Sequence, residues 1–195
     1  MTRLDLVVGP NGAGKSTYVR FVLAPARPGV PFVNADVIAA ERWPDPAEAM
    51  RKAAEASQLA ERAREQLLAR ARPFIAETVA SHPSKVDLVS RAKQAGYFVH
   101  VHVMLVCEEQ VVHRVSRRVD AGGHDVPQDK IRSRYRRLWD HVVQMIESAD
   151  VVEVFDNSGE GPRTVALFIA GSIVGTPNWP AWAPEELVRA GRDAI

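Results

Sequence analysis

The chain has 195 residues, with 25 Lys and Arg against 24 Asp and Glu and a formal net charge of +1. This balance excludes the broad positive field by which many proteins bind nucleic acids or anionic membranes, so any anion site must be local. The length allows a single domain with its own core, and the lone Cys107 excludes an internal disulfide.

The apolar segments are short. The first residues, Met1 to Gly9, contain no apolar core long enough for a signal peptide. The longest apolar run, Tyr97 to Cys107, is interrupted by two histidines and is too short to cross a bilayer. We therefore expect a soluble, cytoplasmic protein without a membrane partner.

An apolar strand at residues 4–8 leads directly into a glycine-rich loop. Gly9, Gly14, Lys15 and Ser16 match G-x-x-x-x-G-K-[ST], in the strand–loop–helix context that this motif requires. The loop amides would bind phosphate oxygens, Lys15 would reach the β- and γ-phosphates, and Ser16 would ligate Mg2+. The expected nucleotide ligands are Gly9, Pro10, Asn11, Gly12, Ala13, Gly14, Lys15, Ser16 and Thr17, together with Asn157 from a later strand end.

The remaining elements follow in alternation. The first helix should end near Leu23, because Pro25 and Pro28 follow it, and Asp45 should cap a long helix at residues 45–71. Further strands are expected at 30–33, 74–76, 97–106 and 151–155, and further helices at 84–95, 108–120 and 127–148. A hairpin at 164–169 and 172–174 and a short helix at 184–189 complete the chain.

Strands that alternate with helices predict a parallel sheet with helices on both faces. We expect an α/β fold: a P-loop NTPase three-layer sandwich with a mostly parallel five-stranded core sheet. It should form one domain, residues 1–195, with a helical lid at about 108–130 and a C-terminal hairpin and helix at about 163–191. Ligands of such sheets bind at the carboxyl ends of the strands.

Two carboxylates follow predicted strand ends. Asp36 is suited to accept the proton of a substrate hydroxyl or to hold Mg2+ through a water molecule; alternatively, it caps the turn that begins at Val37. Glu77 and Thr78 offer hydrogen-bonding groups for a polyhydroxylated substrate, although an ordinary solvated loop carboxylate explains Glu77 as well. We assign both strand ends to the acceptor side of the site.

Arg114 and Arg118 lie four residues apart on one predicted helix, which a Gly122-Gly123-His124 segment follows. The pattern is typical of a mobile lid that brings cations over phosphates, and also of a solvated amphipathic helix. His124 either touches phosphate or satisfies its turn, and Arg134 borders the apolar face of the next helix. 

His100 and His102 share a strand face, which suggests a metal. No third ligand has a defined spacing, however, so we interpret both histidines as packing residues.

Several segments together match the sequence pattern of a known kinase family. They are Gly9 to Thr17, Asn-Ala-Asp-Val-Ile-Ala at 34–39, Ala-Glu-Thr at 76–78, Ala-Gly-Tyr at 95–97, Arg-Val-Ser-Arg-Arg-Val-Asp-Ala-Gly-Gly-His-Asp-Val-Pro at 114–127, Arg-Tyr at 134–135 and Asp-Asn-Ser at 156–158. In them the chain resembles the zeta-toxin family of P-loop kinases, in particular its short, stand-alone bacterial members. The Gly-Gly-His-x-Val-Pro segment is the most distinctive of the matches.

The resemblance implies a kinase that uses ATP or GTP with Mg2+, and the best-studied members phosphorylate UDP-N-acetylglucosamine. It implies that Asp36 is the base, that Glu77 helps to hold the substrate, and that Arg114, Arg118 and Arg134 serve the lid. We also place Asp36, Thr78, His124 and Arg134 among the substrate-binding residues. It also implies an antitoxin protein as a partner, although no antitoxin-like segment is visible here. The chain is more compact than those toxins, which leaves its small-molecule acceptor open.

Two other functions fit the same residues. One is a regulatory ATPase that has no dedicated acceptor, and the other is a nucleic-acid end kinase. The near-neutral charge favours a small molecule over nucleic acid.

Overall fold

A mixed sheet forms the centre of the computed structural model, which describes residues 1–120 and 128–193, apart from the side chains of 118–120 and 193. Its strands are β1 Arg3–Val8, β2 Phe32–Val33, β3 Phe74–Thr78, β4 Phe98–Leu105, β5 Val151–Asp156, β6 Arg163–Ile169 and β7 Ser172–Ile173. They lie in the order β2-β3-β1-β4-β5-β6-β7. The first five pair in parallel, and the β6–β7 hairpin adds antiparallel to β5. The predicted parallel core and C-terminal hairpin are confirmed.

The helices of the described residues are α1 Lys15–Tyr18, α2 Ala24–Ala26, α3 Ala35–Arg42, α4 Pro46–Arg51, α5 Ala53–Ala69, α6 Ser84–Gln94, α7 Glu108–Asp120, α8 Gln128–Ser148 and α9 Glu185–Asp193. A π-helical segment, Val19–Leu23, joins α1 to α2. None of these helices combines the length and the apolar character that crossing a bilayer demands.

Two predicted helix boundaries are wrong. Pro25 does not end the first helix, because it lies in the first turn of α2, where a missing N–H is tolerated. The expected helix at 45–71 is divided into α4 and α5 at Lys52, whose ψ of 8° departs from helical geometry. Asp45 caps α4 as predicted, through a 3.1 Å hydrogen bond from the amide of Ala47.

The strand order fixes which helices share a face of the sheet. The chain moves in one direction from β1 to β2 and in the opposite direction through β3, β4 and β5. Because parallel crossovers are right-handed, α1 covers one face while α5, α6 and α8 cover the other. The carboxyl ends of all five parallel strands meet at one edge, where the loop from Gly9 to Ser16 begins.

Candidate active site

The glycine-rich loop adopts backbone angles that side chains rarely tolerate. Gly9 has a φ of +150°, and a Cβ there would lie 2.6 Å from the carbonyl oxygen of Met104 on β4. Gly14 has a φ of +84°, and a Cβ there would lie 2.4 Å from Nδ2 of Asn157. The Met104 oxygen belongs to the backbone of β4 and cannot move aside, so the loop can lie this close to β4 only with glycine at position 9. At position 14 the Asn157 side chain could move, and it is the positive φ that favours glycine.

Lys15 lies across the mouth of the loop. Its Nζ donates a 2.9 Å hydrogen bond to the carbonyl of Pro10, which also accepts a 3.2 Å hydrogen bond from the amide of Ala13. Only 6% of Lys15 is exposed, so its charge is concentrated at the loop. A buried ammonium group, a tight glycine turn and the first turn of a helix are the parts that suit a phosphate group.

Two segments that are distant in sequence donate hydrogen bonds to the backbone of the loop. Asn157, just after β5, donates a 2.7 Å hydrogen bond from Nδ2 to the carbonyl of Ala13. Arg114 of α7 donates to the carbonyls of Gly12, at 3.2 Å, and Asn157, at 3.1 Å. Arg114 is thus bound to main-chain oxygens of the loop and of the β5 turn. Sequence reasoning places it in the lid and does not reveal these bonds.

Asp156 stabilises the turn that carries Asn157. Its Oδ1 accepts hydrogen bonds from the amide and the hydroxyl of Ser158, and its Oδ2 accepts one from Arg163 at 3.1 Å. Burial acts to raise the pKa of Asp156, but the hydrogen bonds from Ser158 and Arg163 outweigh it, and the pKa lies below its ordinary value. The carboxylate therefore remains charged and keeps the turn in place.

Ser16, Glu77 and Asn34 form a hydrogen-bonded chain across the cleft. The Ser16 hydroxyl donates to both carboxylate oxygens of Glu77, at 2.9 and 3.0 Å. Asn34 donates to Oε2 of Glu77 at 2.7 Å, so the carboxylate joins the ends of β1, β2 and β3. The predicted acceptor residue Glu77 therefore lies directly beside the predicted Mg2+ ligand Ser16.

Asn34 is also the N-cap of α3. Its Oδ1 accepts hydrogen bonds from the amides of Asp36, at 2.7 Å, and Val37, at 3.3 Å. The alternative that the Asp36 side chain caps this turn is wrong, because Asn34 already does so. Asp36 lies in the first turn of α3 with an exposed side chain, two residues from the Asn34–Glu77 contact.

The other predicted site residues are less closely connected. Thr78 ends β3 and accepts a 3.3 Å hydrogen bond from the amide of Ala80, which fixes the following loop. Arg134 is exposed on α8. The Arg118 side chain and the whole of His124 lie outside the described residues.

Beneath α1, a polar network that the sequence does not reveal connects the helix to the sheet. Asp5 of β1 is 1% exposed and accepts from His102 Nε2 at 3.1 Å, while His102 Nδ1 lies 3.1 Å from the Tyr18 hydroxyl. Arg3 and Arg27 bind the same carboxylate. Burial acts to raise the pKa of Asp5, but hydrogen bonds from His102 and Arg3 hold it well below its usual range. Because the Asp5 carboxylate can only accept, Nε2 of His102 donates to it, and Nδ1 of the neutral ring accepts the hydrogen bond that the Tyr18 hydroxyl donates.

His100 completes this cluster. Ligand atoms of Asp5, His100 and His102 lie within 4.8 Å of one another, so β1 supplies the third group that spacing within β4 alone does not show. The Asp5 carboxylate, however, is already bound by the two arginines. Burial, followed by the nearby His102 and Arg3, lowers the pKa of His100 to about 3. We therefore interpret the cluster as a neutralised hydrogen-bond network that supports α1.

The sequence matches the family model of the AAA domain over residues 4–140. No curated protein matches the chain. Among solved structures, it is similar to a chain of AvrRxo1-ORF1:-ORF2 with ATP, at 17% identity and a TM-score of 0.71, over 91% of this chain and 61% of that one. The chain thus spans about three fifths of the length of that relative.

Two further structures share the fold. One belongs to the PezAT chromosomal toxin-antitoxin system of Streptococcus pneumoniae, at 13% identity and a TM-score of 0.60, over 85% of this chain and 72% of that one. The other is a gluconokinase from Sinorhizobium meliloti, at 20% identity and a TM-score of 0.51, over 80% of this chain and 83% of that one. The chain therefore belongs to the AAA domain family, in a P-loop kinase-like fold.

Proposed function

We propose that the protein is an ATP-dependent small-molecule kinase that transfers the γ-phosphate to a hydroxyl group. The observation that carries this proposal is the chain from Ser16 through Glu77 to Asn34. It joins the phosphate loop to the helix turn that presents Asp36, as a site for two substrates requires.

The residues have distinct roles in this proposal. Lys15 and the loop amides bind the phosphates, and Ser16 with Glu77 holds Mg2+. Bound ATP supplies the phosphoryl group, and Asp36 accepts the proton of the attacking hydroxyl. General-base catalysis of this kind contributes about 10²- to 10⁴-fold to the rate. Arg114 keeps the loop in shape, so that its amides point at the phosphates before the nucleotide binds.

The finer assignments follow the resemblance to zeta toxins. The similarity to the PezAT structure supports this resemblance at the level of the fold alone. We propose UDP-N-acetylglucosamine or a related nucleotide sugar as the first acceptor to test, ATP or GTP as the donor, and an antitoxin protein as the partner to look for. We further propose one domain, with Arg118 and His124 in a lid at about 108–130, Thr78 and Arg134 beside the acceptor, and a cytoplasmic location, where ATP is available.

A labelled-ATP screen tests the proposal. The purified full chain is incubated with γ-labelled ATP, Mg2+ and a panel of nucleotide sugars, sugars, sugar acids and nucleosides, and products are separated by charge. We expect label in one acceptor class. The Lys15→Met variant is the matched control, since it removes the ammonium group from the loop and any label that remains comes from a contaminant.

The alternatives predict other outcomes. Hydrolysis of ATP at the same rate with every member of the panel, without labelled product, favours a regulatory ATPase and contradicts the kinase. Transfer to oligonucleotide ends, weakened steeply by salt, favours a nucleic-acid kinase.

A further inference from the structure

Ala80, two residues beyond the end of β3, has a left-handed backbone with a φ of +58°. Residues that carry a Cβ rarely adopt this conformation, because it costs free energy. It persists only where the surrounding structure holds it, and such residues cluster at ligand-binding sites. The cause of this conformation is therefore informative about the site.

Two other alanines of the described residues have a positive φ, and both have a local cause. Ala71 lies in the turn that ends α5, where the amide of Arg72 binds the carbonyl of Leu67 in the manner of a Schellman motif. Ala170 forms the two-residue turn of the β6–β7 hairpin with Gly171, and such turns require positive φ. The alanine beyond β3 lies neither in a helix C-terminus nor in a hairpin.

Hydrogen bonds on both sides hold Ala80 in place. Its amide donates to Oγ1 of Thr78 at 3.3 Å, and its carbonyl accepts a 2.8 Å hydrogen bond from Nδ1 of His141, 61 residues later on α8. A carbonyl can only accept, so Nδ1 of His141 carries the proton. Leu138 and Val142, which flank His141 on α8, are fully buried and anchor this part of the helix. The bond from His141 therefore ties the loop to the core.

The sheet order places the β3–α6 loop, residues 79–83, in the middle of the cleft. Strand β3 lies between β1 and β2. The loop therefore begins between the phosphate loop, which follows β1, and the turn with Asp36, which follows β2. Thr78 pairs with Val8, the last residue before the phosphate loop, so the two loops leave the sheet at the same level. A hydroxyl group that lies between Asp36 and a γ-phosphate must lie beside the β3–α6 loop.

We propose that His141 is a positioning residue for the acceptor: its hydrogen bond to Ala80 holds the β3–α6 loop in the conformation that binds the acceptor. The role in acceptor binding rests on the proposed kinase function, whereas the hold on the loop does not. Without this bond, the preference of alanine for negative φ is less strongly opposed, and the loop spends more time in other conformations. Because only one conformation binds, the apparent affinity for the acceptor falls by the fraction of the time that is lost.

Hydrogen–deuterium exchange of the full chain tests the hold on the loop without turnover. In His141→Leu we expect the amides of residues 79–82 to exchange about tenfold faster, since one hydrogen bond is lost, while those of β3 do not change. His141→Asn should restore the slow exchange, because the amide nitrogen of Asn lies where Nδ1 of His lies. Gln144→Leu, which removes an exposed polar side chain from the same helix, is the matched control.

Steady-state kinetics test the role in acceptor binding. With the acceptor that is labelled in the screen, and at a temperature where every variant is folded, we expect the KM of His141→Leu for the acceptor to rise about tenfold. Its kcat and its KM for ATP should equal those of the wild type, since the bound loop and the phosphate loop are unchanged. His141→Asn should restore the acceptor KM. A merely structural histidine would lower the thermal midpoint and leave all three constants unchanged.

The two proposals fail separately. If residues 79–82 exchange equally fast in His141→Leu and Gln144→Leu, or if His141→Asn exchanges as fast as His141→Leu, His141 does not hold the loop. If exchange rises as expected but the acceptor KM does not, the kinase stands and the loop is not part of the acceptor site. If exchange rises but nothing in the acceptor panel is labelled, the kinase function and the acceptor role are contradicted, and His141 still holds the loop.

Discussion

The two halves of the cleft are held in different ways. On the phosphate side, the carbonyls of Gly12 and Ala13 accept hydrogen bonds from Arg114 and Asn157, which come from two distant elements. On the acceptor side, the Asp36 side chain is exposed and has no hydrogen-bond partner within residues 1–120 and 128–193. The backbone of the phosphate loop is thus held in one conformation before a ligand binds. On the acceptor side, the Asp36 carboxylate is left without a protein partner and can bind a ligand.

Glu77 joins the two halves, and its replacement should have the largest effect on nucleotide binding. Glu77→Gln keeps the shape but removes the charge that faces Ser16 and Asn34. We expect the apparent Mg2+ affinity to fall about 10- to 100-fold, the range seen when a group that orients a metal ligand is lost. Titration of Mg2+ at fixed ATP measures this.

Glu160→Gln, which neutralises an exposed carboxylate in the β5–β6 turn, is the control. If Glu77→Gln and this control require the same Mg2+ concentration, Glu77 does not contribute to Mg2+ binding.

Arg114→Met tests the phosphate side alone. The variant loses charged hydrogen bonds to loop carbonyls, so we expect the nucleotide dissociation constant to rise about tenfold, which corresponds to about 1.4 kcal/mol. Arg117→Met, an exposed neighbour on α7, should bind nucleotide like the wild type. Equal affinities of the two variants would show that the loop keeps its shape without Arg114.

The network beneath α1 makes stability depend on pH. His100 has a pKa of about 3 in the folded protein, against about 6.5 in an unfolded chain. Between these values only the unfolded chain binds the proton, so stability is complete above about pH 6.5 and falls by about 1.4 kcal/mol per pH unit below it. Urea unfolding at pH 7 and pH 5 measures the difference.

His100→Gln should flatten this dependence, while His113→Gln, at an exposed position on α7, should retain it. If His100→Gln loses as much stability as the wild type between pH 7 and pH 5, another group titrates.

The smallest effect is expected at the cap of α4, which packs against α3 and α5. Asp45→Ala removes a single hydrogen bond to the amide of Ala47 and should cost about 1 kcal/mol of stability. Thermal unfolding should detect this loss, and nucleotide affinity should not change. A lower nucleotide affinity of this variant would mean that the α4 cap is more strongly coupled to the phosphate loop than its contacts indicate.

The sequence predicts the phosphate side better than the acceptor side for a physical reason. The backbone of the phosphate loop favours glycine at positions 9 and 14, and this requirement appears in the sequence as a recognisable motif. The parallel sheet could likewise be predicted, because strands and helices alternate. The division into α4 and α5 at Lys52 could not be predicted, because all residues around Lys52 are compatible with a helix.

Other features depend on contacts between distant segments. Asn34 caps α3 and also binds Glu77, 43 residues away, which no local pattern shows. Asp5 meets His102 only because β1 and β4 are neighbours. Arg64 of α5 is only 6% exposed. Its spacing from Ala56 and Ala60 is that of a buried helix face, but a charged residue at such a position is normally predicted to be solvated.

The central claim is that Asp36 acts on the acceptor while the loop holds the nucleotide. The most direct test is the single-turnover transfer rate of Asp36→Asn, with saturating ATP and the acceptor from the screen, beside Glu41→Gln on the exposed side of α3. We predict a rate about 10²- to 10⁴-fold below the control, with unchanged affinity for the ATP analogue. A rate equal to that of the control would contradict the assignment of Asp36 as the base.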